Sequence, residues 1–306
     1  MKIRIGTRGS ELALTQTGLV ARAIEENLPG ISVELVTIKT TGDLRQGTAD
    51  AALLDKKAWV AELENALTAG EIDLAIHSGK DAPNDTAYGT ELCAVLKREN
   101  PLDVFIGRIK ADGSRLRFEE LSEDAAVGTA STRRAAFLKA LSSSFRIREH
   151  RGNVTTRIRK LDQSEELEGI VLAAAGIERL AVKDLDYQCF TPEQMVPAIN
   201  QGILVAQLVA SRTDIKEIVA KISDPATEKC FLAEREFSRT IGADCHSAVG
   251  AYARIEFGKL IMSAAVLSSD GTTVLRAEGG AAVTEAARLG DKLASDLLEQ
   301  GAGELL

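Results

Sequence analysis

The sequence predicts an α/β fold with two similar lobes, followed by a small α+β domain. Three observations lead to this prediction. Two separate stretches, 1–80 and 125–176, each alternate short apolar runs with amphipathic helical patterns. Three later runs are joined by short turns, as in an antiparallel sheet. The chain of 306 residues is also longer than one ordinary domain, which averages roughly 100 to 200 residues.

The first stretch contains three predicted strands and two predicted helices. Apolar runs predict strands at 2–6, 31–39 and 72–77, and helical spacing predicts helices at 10–28 and around Trp59, Leu63 and Leu67. Segment 44–54 is polar and has no regular period, which predicts a mobile loop.

The second stretch repeats the same order of elements. Strands are predicted at 125–128, 145–149 and 169–175, with helices beginning near Ser131 and at Val154. Both stretches begin with an apolar residue followed by Gly-Thr, at Gly6 and at Gly128. This similarity has two explanations. Any two strand-to-helix junctions could look alike by chance, or the two stretches could form related lobes. Related lobes would hold a ligand in a cleft at the carboxyl ends of their strands.

The C-terminal part has a different pattern. An apolar run at 196–211 and a short helix at 215–222 come first. Alternating runs at 249–257, 260–267 and 272–278 then predict a three-stranded antiparallel sheet, and a helix is predicted at 283–299. Hairpins with grouped helices are typical of an α+β domain.

Composition excludes several classes of protein. The net charge of −8 argues against binding to nucleic acid or to an acidic membrane surface, because both need an extended basic field. The longest apolar stretch, 169–177, is about half of the roughly 18 residues that span a bilayer. The N-terminus reads as a strand and not as a signal peptide, so we expect a cytoplasmic protein.

The cysteines and the common motifs narrow the chemistry further. Cys93, Cys189, Cys230 and Cys245 include no CxxC pair, so we expect reduced thiols and neither disulfides nor a zinc site. The sequence contains no HExxH, Walker, GxGxxG or GxSxG motif. Metal, nucleotide and serine-hydrolase functions therefore have little support.

Arginines at the ends of predicted elements are the strongest indication of a binding site. They are Arg8, Arg133, Arg134, Arg151, Arg157, Arg179 and Arg235. Any one arginine is more commonly on a solvated helix face. A cation beside a positive helix N-terminus is unfavourable, however, so the repeated placement favours a carboxylate or phosphate ligand.

Three further residues are candidates for chemistry, each with a structural alternative. Asp81 follows a predicted strand. It could be a carboxylate in a ligand-binding cleft, or it could be the N-cap of a helix that begins after it. His77 is a general base or, more commonly for a lone histidine, a structural residue. Cys245 lies in a glycine-bounded loop, as a reactive thiol or a packed one. A thiol hydrolase using Cys245 and His246 is a poor fit, because adjacent residues seldom face each other.

Seven motifs, in order along the chain, resemble the porphobilinogen deaminase (hydroxymethylbilane synthase) family. They are Ile5-Gly6-Thr7-Arg8-Gly9-Ser10, Ile76-His77-Ser78-Gly79-Lys80-Asp81, Val127-Gly128-Thr129-Ala130-Ser131-Thr132-Arg133-Arg134, Arg151-Gly152-Asn153-Val154-Thr155-Thr156-Arg157, Ala174-Ala175-Gly176 with Arg179, Pro197-Ala198 with Gln201-Gly202, and Ala233-Glu234-Arg235. The resemblance covers essentially the whole chain.

The resemblance implies a three-domain enzyme whose first two lobes are built like periplasmic anion-binding proteins. Lobe 1 would comprise 1–98 and 196–215, lobe 2 would comprise 99–195, and the α+β domain 216–306 would carry the cofactor cysteine. The implied reaction joins four porphobilinogen molecules with loss of ammonia, giving a linear tetrapyrrole for a heme-type pathway. The protein is expected to be a monomer without a metal.

The resemblance also implies roles for individual residues. Asp81 is the catalytic carboxyl group, and Cys245 holds a dipyrromethane cofactor through a thioether. The implied cofactor-binding residues are Lys80, Ser131, Arg133, Arg134 and Arg157. The implied substrate-binding residues are Arg8, Ser10, Lys56, Arg151, Arg179 and Arg235. The acetate and propionate groups of each pyrrole would explain why an acidic protein collects arginines in one cleft.

Several residues depart from the family pattern. Gly79 replaces a bulky apolar residue, Thr132 a leucine, and Asp244 a glycine before Cys245. Asn200, Ile203 and Leu204 alter a glycine-rich crossover. These departures motivate an alternative, a catalytically impaired anion-binding protein with the same two lobes.

Overall fold

The computed structural model describes residues 1–38, 57–242 and 247–306. These residues form two compact units. Unit 1 contains Met1–Glu99 and Gly202–Phe231, and unit 2 contains Asn100–Gln201 and Leu232–Leu306.

The strands and helices are numbered in chain order. The strands are β1 (Lys2–Thr7), β2 (Ser32–Thr37), β3 (Leu74–Ser78), β4 (Thr90–Val95), β5 (Asp103–Gly107), β6 (Ala126–Gly128), β7 (Arg146–Arg148), β8 (Gly169–Ala173), β9 (Gln188–Cys189), β10 (Leu204–Val209), β11 (Ala248–Glu256), β12 (Lys259–Leu267) and β13 (Val274–Ala282). The α-helices are α1 (Glu11–Asn27), α2 (Lys57–Thr68), α3 (Thr132–Leu141), α4 (Val154–Asp162), α5 (Ala174–Arg179), α6 (Thr213–Ile222), α7 (Pro225–Ile241) and α8 (Ala286–Glu299).

Unit 1 is built on a mixed five-stranded sheet with the order β2-β1-β3-β10-β4. Strand β1 is parallel to β2 and β3, and β10 is antiparallel to β3 and β4. Helices α1 and α6 supply apolar side chains to its core, among them Val20, Ile24, Ile215 and Val219. The apolar spacing seen in the sequence is therefore the buried face of each helix.

Unit 2 repeats this topology. Its sheet has the order β7-β6-β8-β5-β9, with β6 parallel to β7 and β8, and β5 antiparallel to β8 and β9. Each strand of unit 1 thus has a counterpart in unit 2, beginning with β1 and β6. The prediction of two similar α/β lobes is confirmed, and of the two explanations left open by the sequence, related lobes is correct.

The predicted antiparallel sheet is also present, with the order β11-β12-β13. Helix α8 covers it with Leu289, Leu293 and Leu297, all buried. A Cβ at Gly279 in β13 would come within 3.2 Å of Leu293, so the glycine lets the helix approach closely. The small α+β part of the predicted fold class is confirmed.

Some elements differ from the sequence expectation. Strands β4, β5 and β9 were not predicted, since β9 has only two residues and the apolar residues of β4 and β5 are consecutive and show no alternation. Helix α6 packs in the core of unit 1, whereas the expected boundary at 215 assigned most of it to the third domain. Its buried Ile218 and Ile222 explain this placement. The division into three domains is otherwise still a prediction.

Candidate functional site

The first candidate residues lie at one edge of the unit 1 sheet. Because β1 and β3 are parallel neighbours, their carboxyl ends meet at the same edge. Arg8 and Ser10 follow β1, and a short 3-10 helix, Gly79–Asp81, follows β3. The Ser10 hydroxyl caps α1 by accepting the N–H of Ala13 at 3.3 Å. That bond uses an oxygen lone pair, so the hydroxyl hydrogen is not needed for the cap.

Asp81 is an exposed carboxyl group at the end of this edge. The turn that carries it is fixed by the Gly79 N–H, which donates to the carbonyl of Ile203 at 2.8 Å. The residues directly after Asp81 lead to β4 and do not begin a helix, which excludes the N-cap alternative. Asp81 and Arg8 are both near enough to His77 to act on it electrostatically. The structure therefore brings Asp81, Lys80 and Arg8 to one edge.

His77 is buried beneath this edge. Its Nε2 lies 3.0 Å from Oε1 of Gln207, and burial lowers the pKa of its imidazole to about 4. A group that is neutral and 7% exposed is poorly placed to take a proton from a ligand in solvent. The structure favours the structural alternative for His77 over the general base.

The other candidate residues lie at the corresponding edge of unit 2. The parallel strands β6, β7 and β8 end there, followed by Ser131, Arg151 and α5 respectively. Ser131 caps α3 by accepting the N–H of Arg134 at 3.4 Å. It thus has the same position at the start of its helix as Ser10 has in unit 1.

Arg133 and Arg134 are buried and share a partner that the sequence analysis missed. Asp103, the first residue of β5, is fully buried and lies 2.8 Å from Nη1 of Arg133 and 2.7 Å from Nε of Arg134. The two guanidinium groups lower the pKa of this carboxyl to about 2 despite its burial. Two positive charges and one negative charge leave the cluster at +1. An acidic residue opening an apolar strand was the available signal, because a buried carboxylate needs a cationic partner.

Arg151 and Arg157 flank the first turn of α4. Nε of Arg151 is 2.5 Å from a carboxylate oxygen of Glu149, and Nε of Arg157 donates to the carbonyl of Gly152 at 2.7 Å. His150 supports the turn, with Nε2 2.9 Å from the Arg157 carbonyl. These arginines lie at a helix N-terminus as predicted, where backbone N–H groups also favour an anion.

Arg179 and Arg235 are placed differently. Arg179 ends α5, and Arg235 is inside α7, so neither is at a helix start. Beside Arg235, the buried carboxylate of Glu234 accepts the N–H of Asn200 at 2.5 Å and that of Ala253 at 2.7 Å. Asn200 has φ of 58°, in the left-handed region, which asparagine tolerates better than most residues. This explains how asparagine is accommodated in a crossover that is glycine-rich in the family pattern.

Two predicted site residues, Lys56 and Cys245, lie outside the described residues, as do Asp244, His246 and the predicted loop at 44–54. Within the described ranges, no cluster of three or more His, Cys, Asp or Glu side chains could bind a metal ion. In the same ranges, no helix combines the length and apolarity needed to cross a membrane.

The donors at these two edges fit a polycarboxylated oligopyrrole. Each edge carries a capping hydroxyl and at least one arginine, and the unit 2 edge adds the net positive cluster around Asp103. Guanidinium groups and hydroxyls are hydrogen-bond donors suited to carboxylates. The described donor set is therefore consistent with a dipyrromethane cofactor.

Comparisons with known proteins agree with the motifs. The model of the "Porphobilinogen deaminase, dipyromethane cofactor binding domain" matches residues 3–217, and that of the "Porphobilinogen deaminase, C-terminal domain" matches residues 228–299. Porphobilinogen deaminase of Natranaerobius thermophilus is 38% identical over 100% of this chain and 98% of that protein. The enzyme of Deinococcus radiodurans is 39% identical over 99% of this chain and 97% of that protein.

Among solved structures, the BenM effector binding domain with benzoate is 14% identical, with a TM-score of 0.42, and the match covers 72% of this chain and 90% of that one. The family models together span nearly the whole chain, and the relatives match over their full lengths. The chain belongs to the porphobilinogen deaminase family, whose members are transferases of tetrapyrrole biosynthesis.

Proposed function

We propose that this chain joins four porphobilinogen molecules in succession, with release of ammonia, to give the linear tetrapyrrole hydroxymethylbilane. The observation that carries the proposal is the edge of unit 1, where the exposed carboxyl of Asp81 and the guanidinium of Arg8 follow neighbouring parallel strands. The reaction needs a carboxyl for proton transfer and a cation for the substrate carboxylates, besides the thiol that carries the cofactor.

Asp81 acts on the leaving group. Loss of the substrate aminomethyl nitrogen as ammonia breaks a C–N bond, and the bonding pair leaves with nitrogen. The Asp81 carboxyl supplies a proton to that nitrogen, and its carboxylate then faces the positive charge that develops on the substrate carbon. Its exposure at a strand end lets it reach a bound ligand, which the buried imidazole of His77 cannot do.

The cofactor is attached to Cys245 in this proposal and held by Lys80, Ser131, Arg133, Arg134 and Arg157. When bound, dipyrromethane would supply the free pyrrole carbon that takes the first unit, and each later unit would add to the terminal pyrrole of the growing chain. Arg133 and Arg134 donate to Asp103 and to the carbonyls of Val196 and Val171. They therefore contribute mainly the net positive charge of a fixed cluster, while the more exposed Arg157 supplies direct bonds.

Substrate carboxylates are bound by Arg8, Ser10, Lys56, Arg151, Arg179 and Arg235. In Arg151 the Nε is bonded to Glu149, so a substrate carboxylate that takes this donor displaces that bond. That ion pair is exposed, and exposed pairs stabilise by only about 0.2–1 kcal/mol, so a substrate carboxylate competes readily. We further propose a monomer that works in the cytoplasm.

Intact mass spectrometry tests the proposal. After incubation with porphobilinogen, the wild-type chain gains the mass of two pyrrole units, and Cys245→Ser does not. Cys189→Ser, which removes an exposed thiol, serves as the matched control and keeps the adduct. An unmodified wild-type chain that binds porphobilinogen without releasing ammonia would support the impaired anion-binding alternative.

A further inference from the structure

A buried chain of hydrogen bonds lies behind β3, the strand that precedes the turn carrying Asp81. Gln207 in β10 contacts His77 through Oε1, and its Nε2 donates to Glu64 at 2.7 Å and to Thr90 at 2.9 Å. Both His77 and Gln207 are buried, with Gln207 fully enclosed. All four residues belong to unit 1.

The bonding pattern fixes the orientation of the Gln207 amide. The Glu64 carboxylate can only accept, and it also receives the N–H of Ala87 at 2.9 Å. The Thr90 hydroxyl donates to the Ala87 carbonyl at 2.7 Å, so its oxygen is an acceptor towards Gln207. Because the Glu64 and Thr90 oxygens are both acceptors, the NH₂ group of Gln207 must point towards them. The amide oxygen must therefore face His77.

This orientation determines the form of the imidazole. An oxygen that faces Nε2 at 3.0 Å requires a proton on that nitrogen. Burial favours the neutral ring, as does the positive charge of Arg8, whereas Asp81 and Glu64 act in the opposite direction. His77 is thus a neutral imidazole with its proton on Nε2.

The same contact anchors the end of β3. His77 pairs with Val205 across the strands, and its side chain reaches diagonally to Gln207, two residues further along β10. Asp81 lies four positions after His77, and the Gly79 N–H is bonded to the carbonyl of Ile203, the residue just before β10. The backbone and the side-chain contact together determine where the turn that carries Asp81 begins.

We propose that His77 is a positioning residue for Asp81, acting as a neutral Nε2–H imidazole held by Gln207. This inference rests on the proposed catalytic role of Asp81. The ring touches neither substrate nor cofactor in this account. It acts by holding the strand end, so its loss should lower kcat and leave KM for porphobilinogen nearly unchanged.

The first experiment measures the tautomer directly. The chain has three histidines, so ¹⁵N NMR of the imidazole groups gives few signals, and His77→Gln identifies that of His77. We expect a neutral Nε2–H ring throughout about pH 5.5 to 8. A protonated ring or an Nδ1–H tautomer at neutral pH would overturn the inference without any measurement of activity.

The second experiment separates positioning from simple stability. In His77→Gln the side-chain amide places a donor near the Nε2 position, whereas His77→Asn and His77→Leu do not. We expect His77→Gln to retain kcat within about threefold, and the other two to lose about 10- to 100-fold with KM unchanged. Gln207→Leu should show the same loss, and the double variant His77→Leu, Gln207→Leu should lose no more than either alone. Gln163→Leu, on the exposed end of α4, is the control for the glutamine change and keeps wild-type kcat.

The outcomes distinguish this inference from the proposed function. If the wild-type protein forms no product, the proposed function is wrong. The NMR experiment still determines the tautomer of His77 in that case. Product formation in Asp81→Ala at the wild-type rate removes the catalytic carboxyl and the need to position it. An inactive Asp81→Ala together with a fully active, folded His77→Leu overturns the positioning role alone.

Discussion

Asp103 lies between Arg133 and Arg134, with a carboxylate oxygen within 2.8 Å of each guanidinium group, and all three side chains are buried. The sequence marks the two arginines as ligand-binding residues, yet their closest partner is inside the protein. This relationship gives them a structural function beside the proposed one. It also makes their loss a question of stability as well as of cofactor binding.

Asp103→Asn should destabilise the protein by about 3 kcal/mol, because it leaves two buried guanidinium groups with an insufficient counter-charge. Urea unfolding followed by circular dichroism measures the loss. Asp112→Asn, at an exposed aspartate bonded only to Ser114 among the contacts described, is the control and should change stability by less than about 0.5 kcal/mol. Equal effects for the two variants would contradict the assigned role of Asp103.

Asp81→Ala should stop chain growth on an adduct already attached to Cys245, because the leaving nitrogen then has no proton donor. We expect kcat to fall by at least about 100-fold, as for loss of a general acid. Intact mass reports the adduct, and product absorbance reports turnover. Asp85→Ala changes another exposed aspartate nearby and should leave both unchanged.

Stability should depend on the protonation of His77. Its pKa is about 4 in the folded protein and 6.5 when unperturbed, so the unfolded chain binds a proton that the folded protein excludes. The free energy of unfolding should therefore fall as pH decreases from about 6.5 to 4, by up to about 3 kcal/mol, and no further below that range. Urea unfolding of the wild type and His77→Gln over this range isolates the contribution, since glutamine does not titrate. Parallel curves for the two proteins would contradict the prediction.

Below about pH 4, the free energy of unfolding should depend on the protonation of Asp103. Its pKa is lowered to about 2 from 3.8, so its contribution is complete above about pH 4 and disappears as pH falls towards 2. Asp103→Asn should remove this part of the pH dependence. The prediction would be contradicted if, between about pH 4 and 2, the free energy of unfolding of the wild type fell no more steeply with decreasing pH than that of the variant.

Two glycines in helices should respond oppositely to alanine. A Cβ at Gly290 would lie 2.0 Å from the Ala233 carbonyl oxygen, so Gly290→Ala forces α7 and α8 apart and should cost about 1–3 kcal/mol. Gly18 in α1 has no neighbour within 4 Å of an added Cβ, so Gly18→Ala should stabilise by about 0.5–1 kcal/mol. Thermal unfolding measures both. A stabilised Gly290→Ala would show that the helices can move apart at no cost.

Local pattern predicted most of the fold. The parallel strands and their helices carry apolar spacing of period two or 3.6, so β1, α1, β3, β6 and α8 lie where the sequence indicated. The arrangement of β10 could not be derived in this way, since pairing between β3 and β4 is decided by packing over a long sequence separation. The same applies to β5, whose three apolar side chains are consecutive and show no alternation.

The site was predictable only in part. Capping positions and strand ends pointed to Ser10, Ser131 and Asp81, because those features are local in the sequence. The contacts of Asp103 and Gln207 join residues about 30 and 130 positions apart, and no local pattern reports them. Of the family resemblance, the roles of Lys56 and Cys245 stay predictions, since both lie outside the described residues.

The two sheets differ in how the chain supplies their strands. The five-stranded sheet of unit 2 comes from one continuous segment, Asp103 to Cys189, whereas the unit 1 sheet has β10 inserted between β3 and β4. During translation, β4 therefore has no neighbouring strand until β10, which ends at residue 209, has left the ribosome. The N-terminal sheet is completed only then, although its first strands are made earliest. The later-encoded sheet can close first, which reverses the usual order of N-terminal folding during translation.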